Sequence, residues 1–100
     1  VLTPVQADAR DIIVGQPLKV GAEFRVEGEP KDPTVLYFHA KSPSGVRSTR
    51  AKVDLLSAEV GYWYTVVVAD EPGWWAFRFE GSGVADGVQE IEVYVRPSAF

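Results

Sequence analysis

A chain of 100 residues, 46% hydrophobic and 24% charged, has room for one hydrophobic core, so residues 1–100 read as a single domain. The lack of cysteine excludes a disulfide framework, a thiolate metal site and a thiol nucleophile, and a lone histidine, His39, excludes multi-histidine metal centres. A net charge of −4 has the wrong sign for a nucleic-acid or anionic-membrane binder, so the expected partner is another protein.

In chain order, Val1–Ala9 carries no basic segment leading into an apolar run, so no signal peptide is expected, and its poor patterning suggests a terminal arm. Ala9–Val14 is a weakly patterned strand candidate ahead of the Gly15-Gln16-Pro17 break. Leu18, Val20, Ala22, Phe24 and Val26 then alternate strictly with Lys19, Gly21, Glu23, Arg25 and Glu27, the period of a strand with one wet face. Gly28, Pro30 and Pro33 end that run, and Thr34–Lys41 forms a second one with Leu36, Phe38 and Ala40 on one parity. Ser42-Pro43-Ser44-Gly45 has turn chemistry, proline fixing φ at the second position and glycine freeing the fourth, so Val46–Val53 should return antiparallel. Leu55–Val60 is too short and uncapped for a helix and reads as loop.

Tyr62–Ala69 carries aromatic and β-branched residues on both parities, which suits a central strand covered on both faces. It is also the longest mostly apolar run, far short of the roughly 20 residues of a membrane span. After the Asp70-Glu71-Pro72-Gly73 turn, Trp75, Phe77 and Phe79 alternate with Ala76, Arg78 and Glu80. Gly81–Gly87 is a flexible connection, and Ile91, Val93 and Val95 alternate with Glu92, Tyr94 and Arg96 until Pro97 ends the run. Pro97–Phe100 is a short C-terminal tail. Seven short strands with turns about every ten residues predict an all-β fold, a single antiparallel β-sandwich of immunoglobulin or fibronectin type III.

Little in the chain carries chemistry. His39 lies on the parity opposite Phe38 and has no implied acid-base partner, so it reads as a surface histidine. Asp70 with Glu71 sits in a turn, and Glu90 with Glu92 alternates on the outer face of the last strand, so neither pair implies glycosidase or calcium chemistry. None of the serines has a Gly-x-Ser-x-Gly context, and Gly81-Ser82-Gly83 leads into a strand rather than the helix a phosphate cradle needs. No catalytic residue, cofactor or metal site is expected.

Aromatics and charge are more informative. Trp75 shares the inward parity of Phe77 and Phe79, which sends Trp74 outward, and either Trp63 or its neighbours Tyr62 and Tyr64 must also leave the core. His39–Lys52 holds four bases (Lys41, Arg47, Arg50, Lys52) and no acid, whereas Val53–Glu92 holds eight acids and only Arg78 as a base. The two tracts read either as ordinary solvated edges or as complementary surfaces, a basic hairpin of one subunit meeting an acidic edge of the next and closing into a homo-oligomeric ring. Trp74, Trp63, Arg47, Arg50 and Phe100 are the candidate protein contacts.

Asp70-Glu71-Pro72-Gly73-Trp74-Trp75-Ala76-Phe77-Arg78-Phe79-Glu80-Gly81-Ser82-Gly83, preceded by Gly61-Tyr62-Trp63-Tyr64 and followed by Val95-Arg96-Pro97-Ser98, resembles small Ig-like proteins encoded among the head and neck genes of tailed phages. Asp32-Pro33-Thr34-Val35 and the Pro43-Ser44-Gly45 turn fit the same pattern, and the resemblance spans Gly15–Ser98. Trp74 departs from it, standing where a small polar residue is expected. The resemblance implies a non-enzymatic virion structural protein, assembled in the host cytoplasm at the head-tail neck or as a capsid decoration, with capsid, portal or tail proteins as partners. The exposed aromatics keep a second class in view, a carbohydrate-binding or adhesive Ig-like module.

Overall fold

The computed structural model describes residues 2–5 and 12–100. Among these, nine strands run in the order β1 (Leu2–Val5), β2 (Pro17–Val26), β3 (Glu29–Pro30), β4 (Val35–Lys41), β5 (Arg47–Ala51), β6 (Leu56–Glu59), β7 (Tyr62–Val68), β8 (Gly73–Ser82) and β9 (Gly87–Val95). A single 3₁₀ turn, Lys52–Asp54, links β5 to β6. The strands form two antiparallel sheets, β1-β2-β7-β6 with β3 appended to β2, and β5-β4-β8-β9. Their inner faces meet in one cluster: Leu18, Val20, Ala22 and Phe24 from β2, Leu36, Phe38 and Ala40 from β4, Trp75, Phe77 and Phe79 from β8, and Val93 and Val95 from β9. Every one of these β2, β4, β8 and β9 residues has the inward parity that alternation assigned, because one solvated face per sheet forces a period of two.

Two of the hairpin turns show how local chemistry sets the pairing. Glu27 and Gly28 both have positive φ, 52° and 83°, the conformation of a two-residue hairpin whose twist matches its strands, so the chain that leaves β2 folds straight back as β3. In the Ser42–Gly45 turn the Gly45 N–H donates to the Ser42 carbonyl at 2.9 Å, and Gly45 takes a φ of 91°. The Ser42 N–H then reaches the Val46 carbonyl and the Val46 N–H the Ser42 hydroxyl, so β5 leaves in register with β4.

The structure departs from the sequence expectation in four places. Leu56–Glu59, read as loop, is an edge strand on β7; all four of its residues are exposed, so no inward parity exists to be seen. Leu2–Val5, within the expected N-terminal arm, pairs with β2 from Leu2 opposite Phe24 to Val5 opposite Gly21. The weak strand candidate Ala9–Val14 lies partly outside the described residues. Its end runs beside β9 instead of forming a full strand: Ile13 bridges Arg96 in parallel, with the Arg96 N–H on the Ile12 carbonyl at 2.8 Å. β7 is interior to its sheet, as expected, but only its inner face is covered; Val66 and Val68 are exposed.

Candidate functional site

The outer face of the β5-β4-β8-β9 sheet gathers more polar and aromatic side chains than packing requires. Register sets them in cross-strand rows. One row reads Arg47 (β5), Lys41 (β4), Ala76 (β8), Glu92 (β9), and the next reads Thr49, His39, Arg78, Glu90. At the turn end of the sheet, Trp74 lies opposite Tyr94, their rings edge to face with centroids 5.4 Å apart.

The His39 row is paired within the chain. Arg78 holds Glu80 at 2.7 Å and Glu90 at 2.9 Å, His39 shares a hydrogen bond with the Thr49 hydroxyl at 2.9 Å, and its Nε2 lies 3.4 Å from Glu80. The Arg47 row is not: among the described residues, Lys41, Arg47 and Glu92 make no ion pair or side-chain hydrogen bond. Ala76 floors the space between them. A recess of about 490 Å³ runs over it between Lys41, Arg47, His39 and Glu90, and a second of about 220 Å³, also lined by Lys41 and Ala76, lies between Pro43, Trp74 and Glu92. The rim is held in place by the Ser44 hydroxyl, which donates to Glu71 at 2.9 Å and so ties the β4–β5 turn to the β7–β8 turn.

The five sequence candidates scatter. Trp74 is on this face and 61% exposed, and Arg47 is exposed on it two strands away. Trp63 points the other way. It has the inward parity of β7, packs against the core, donates its indole N–H to Asp32 at 3.0 Å and carries the Lys52 ammonium over its ring. Tyr62 and Tyr64 therefore take the outer side, with the Lys19 ammonium over both rings and the Tyr62 hydroxyl only 2.9 Å from where a Cβ on Gly21 would stand. Arg50 also turns inward: its guanidinium donates to the buried Thr65 hydroxyl and, at 3.0 Å, to the Val66 carbonyl, tying the edge strand of one sheet to the other. Phe100 is fully exposed at the end of an irregular tail. With Lys52 donating to the Pro33 carbonyl, the basic tract reduces to Lys41 and Arg47 as free cations among the described residues.

Sequence reasoning did not single out Lys41 over the other bases, nor Ala76, Glu92 and Tyr94 as members of one site. The outward parity of Glu92 and Tyr94 was readable; that β9 lies two strands from Lys41 was not.

The fold is an immunoglobulin-like β-sandwich. It is similar to the crystal structure of the Lin-41 filamin domain, with a TM-score of 0.72 over 95% of this chain and 91% of that one at 12% identity. A conjugative transposon lipoprotein from Bacteroides eggerthii DSM 20697 aligns over 92% of this chain and 93% of its own at 14% identity, with a TM-score of 0.43. No protein-family model matches the chain. No curated protein matches it either. In this immunoglobulin-like domain the strand order places the Trp74–Tyr94 pair and the Arg47 row on an open sheet face rather than among the connecting loops.

Proposed function

We propose that the chain is a non-enzymatic docking module that meets another protein through the outer face of its β5-β4-β8-β9 sheet. The observation that carries this reading is the coincidence on one face of a largely exposed tryptophan with two cations and a carboxylate that are unpaired among the described residues. Tryptophan and arginine are the side chains that most often anchor protein interfaces, and unpaired charges around them set the partner's orientation. The finer reading is a structural subunit of a tailed-phage particle, at the head-tail neck or on the capsid, with capsid, portal or tail proteins as partners. It is supported by the Glu71-Pro72-Gly73-x-Trp75, Arg78-x-Glu80-Gly81-x-Gly83 and Arg96-Pro97-Ser98 elements.

Quantitative mass spectrometry of purified particles, referred to the major capsid protein, tests it. A few copies up to roughly a dozen would fit a neck position and hundreds a capsid decoration. Absence from the particle would reject the virion reading.

The Trp74–Tyr94 pair beside Glu92 and Lys41 favours one alternative, a carbohydrate-binding or adhesive module in which a sugar ring stacks on Trp74. Titration with oligosaccharides followed by tryptophan fluorescence separates the two: a saturable change abolished in Trp74→Ala would support the sugar reading.

A further inference from the structure

Resting on the reading of this face as a docking surface, we propose that its occupant is a second copy of the chain, related by a two-fold axis parallel to the strands between β4 and β8. The argument starts from a cost. Lys41 and Arg47 are directly opposite each other in the β4–β5 register, and like charges so placed destabilise a sheet. The carboxylate in the same row gives no relief. Glu92 stands two strand spacings from Lys41 and three from Arg47, about 10 and 14 Å, which is near or beyond the screening length.

One symmetry operation removes this mismatch twice. Rotation by 180° about the stated axis reverses the strand order, so β5 of one copy faces β9 of the other while each row stays level. Arg47 then lies over the partner's Glu92, and Lys41 over the partner's Ala76, beside that same carboxylate. Ala76 matters here because its short side chain floors the recess that a lysine stem would enter. Extending the Lys41–Ala76 register by two residues sets Pro43 opposite Trp74 within one chain. The same rotation therefore lays Trp74 over the partner's Pro43 and covers an indole that is otherwise 61% exposed. The contact is isologous and closed, and two twisted sheets pack in this aligned manner at about 10 Å.

Area bounds the affinity. Four strands by seven residues make a face of roughly 450 Å² per copy, about half of the roughly 800 Å² per partner of a standard interface. The dimer should accordingly be weak, with a dissociation constant on the order of 10–100 μM at low salt, rising with ionic strength.

Sedimentation equilibrium of the 11.0 kDa chain up to about 1 mM tests the proposal, with circular dichroism confirming that each variant is folded. Arg47→Glu and Glu92→Arg should each weaken dimerisation at least about tenfold, because each creates two like-charge contacts. Mixing the two variants in equal amounts should restore a dimer, since both 47–92 contacts are then between opposite charges, and the double variant should dimerise by itself. A wild-type chain that stays monomeric to about 1 mM, single variants that dimerise like wild type, or assemblies larger than two copies would each overturn the two-fold dimer. Its failure is separable from that of the docking reading. If the wild-type chain is monomeric yet Trp74→Ala loses incorporation into particles, the face docks a different protein.

Discussion

Truncating each of the two adjacent tryptophans of β8 should separate the inner from the outer face by energy. Trp75 is 6% exposed, stacks on Phe77 with centroids 6.2 Å apart and donates its indole N–H to the Glu71 carbonyl at 2.9 Å. Trp75→Ala empties a space between the sheets and leaves that carbonyl without its donor, so it should cost about 3–5 kcal/mol. For a domain whose whole stability is about 5–15 kcal/mol, that is a large fraction. Trp74 is 61% exposed. The covered two-fifths of a ring of about 200 Å², at about 25 cal/mol per Å², comes to about 2 kcal/mol. The unfolded chain already shields part of that surface, which puts Trp74→Ala at about 1–2 kcal/mol. Urea unfolding followed by far-ultraviolet circular dichroism measures both, and the midpoints should move by clearly different amounts with the slope unchanged. Acrylamide quenching gives an independent reading, because Trp74→Ala should remove the most accessible emission. Equal midpoint shifts, or a larger loss at Trp74, would refute the assignment of the two faces.

Two further substitutions probe residues that hold the frame. Arg50→Ala removes the guanidinium from the Thr65 hydroxyl, which is only 3% exposed, and should cost about 1–3 kcal/mol in urea unfolding; an unchanged midpoint would mean that β5 is not tied to β7 by this contact. Asp32 accepts from both the Gly61 N–H and the Trp63 indole, so Asp32→Ala should cost about 1–2 kcal/mol and red-shift the Trp63 component of the fluorescence, whereas an unshifted spectrum would contradict the Trp63 anchor.

The fates of Trp63 and Arg50 show where local reasoning stops. Parity in β7 required that either Trp63 or its two tyrosine neighbours leave the core, and both solutions were open. The choice fell to contacts remote in sequence, Asp32 and Lys52 around the Trp63 indole, with Gly21 leaving space for Tyr62. Arg50 belongs by sequence to a basic tract, but it lies on the inner side of an edge strand, where a long side chain can lean across the gap and find the polar groups of the opposite sheet. β6 was illegible for the converse reason, since an edge strand with no buried side leaves no period in the sequence.

The all-β class, most of the strands and the inward residues of β2, β4, β8 and β9 were legible in the residue order alone. Those follow from the two-residue period of a pleated backbone and the φ preferences of proline and glycine, which act over a few neighbouring positions. The outward direction of Trp74 was legible in the same way. That Arg47, Lys41, Ala76 and Glu92 form one row, and that Arg50, Lys52 and Trp63 are occupied within the fold, follows from the packing of strands distant in sequence. Strand order and register are chosen by how two faces pack together, and no local period encodes which strand becomes a neighbour.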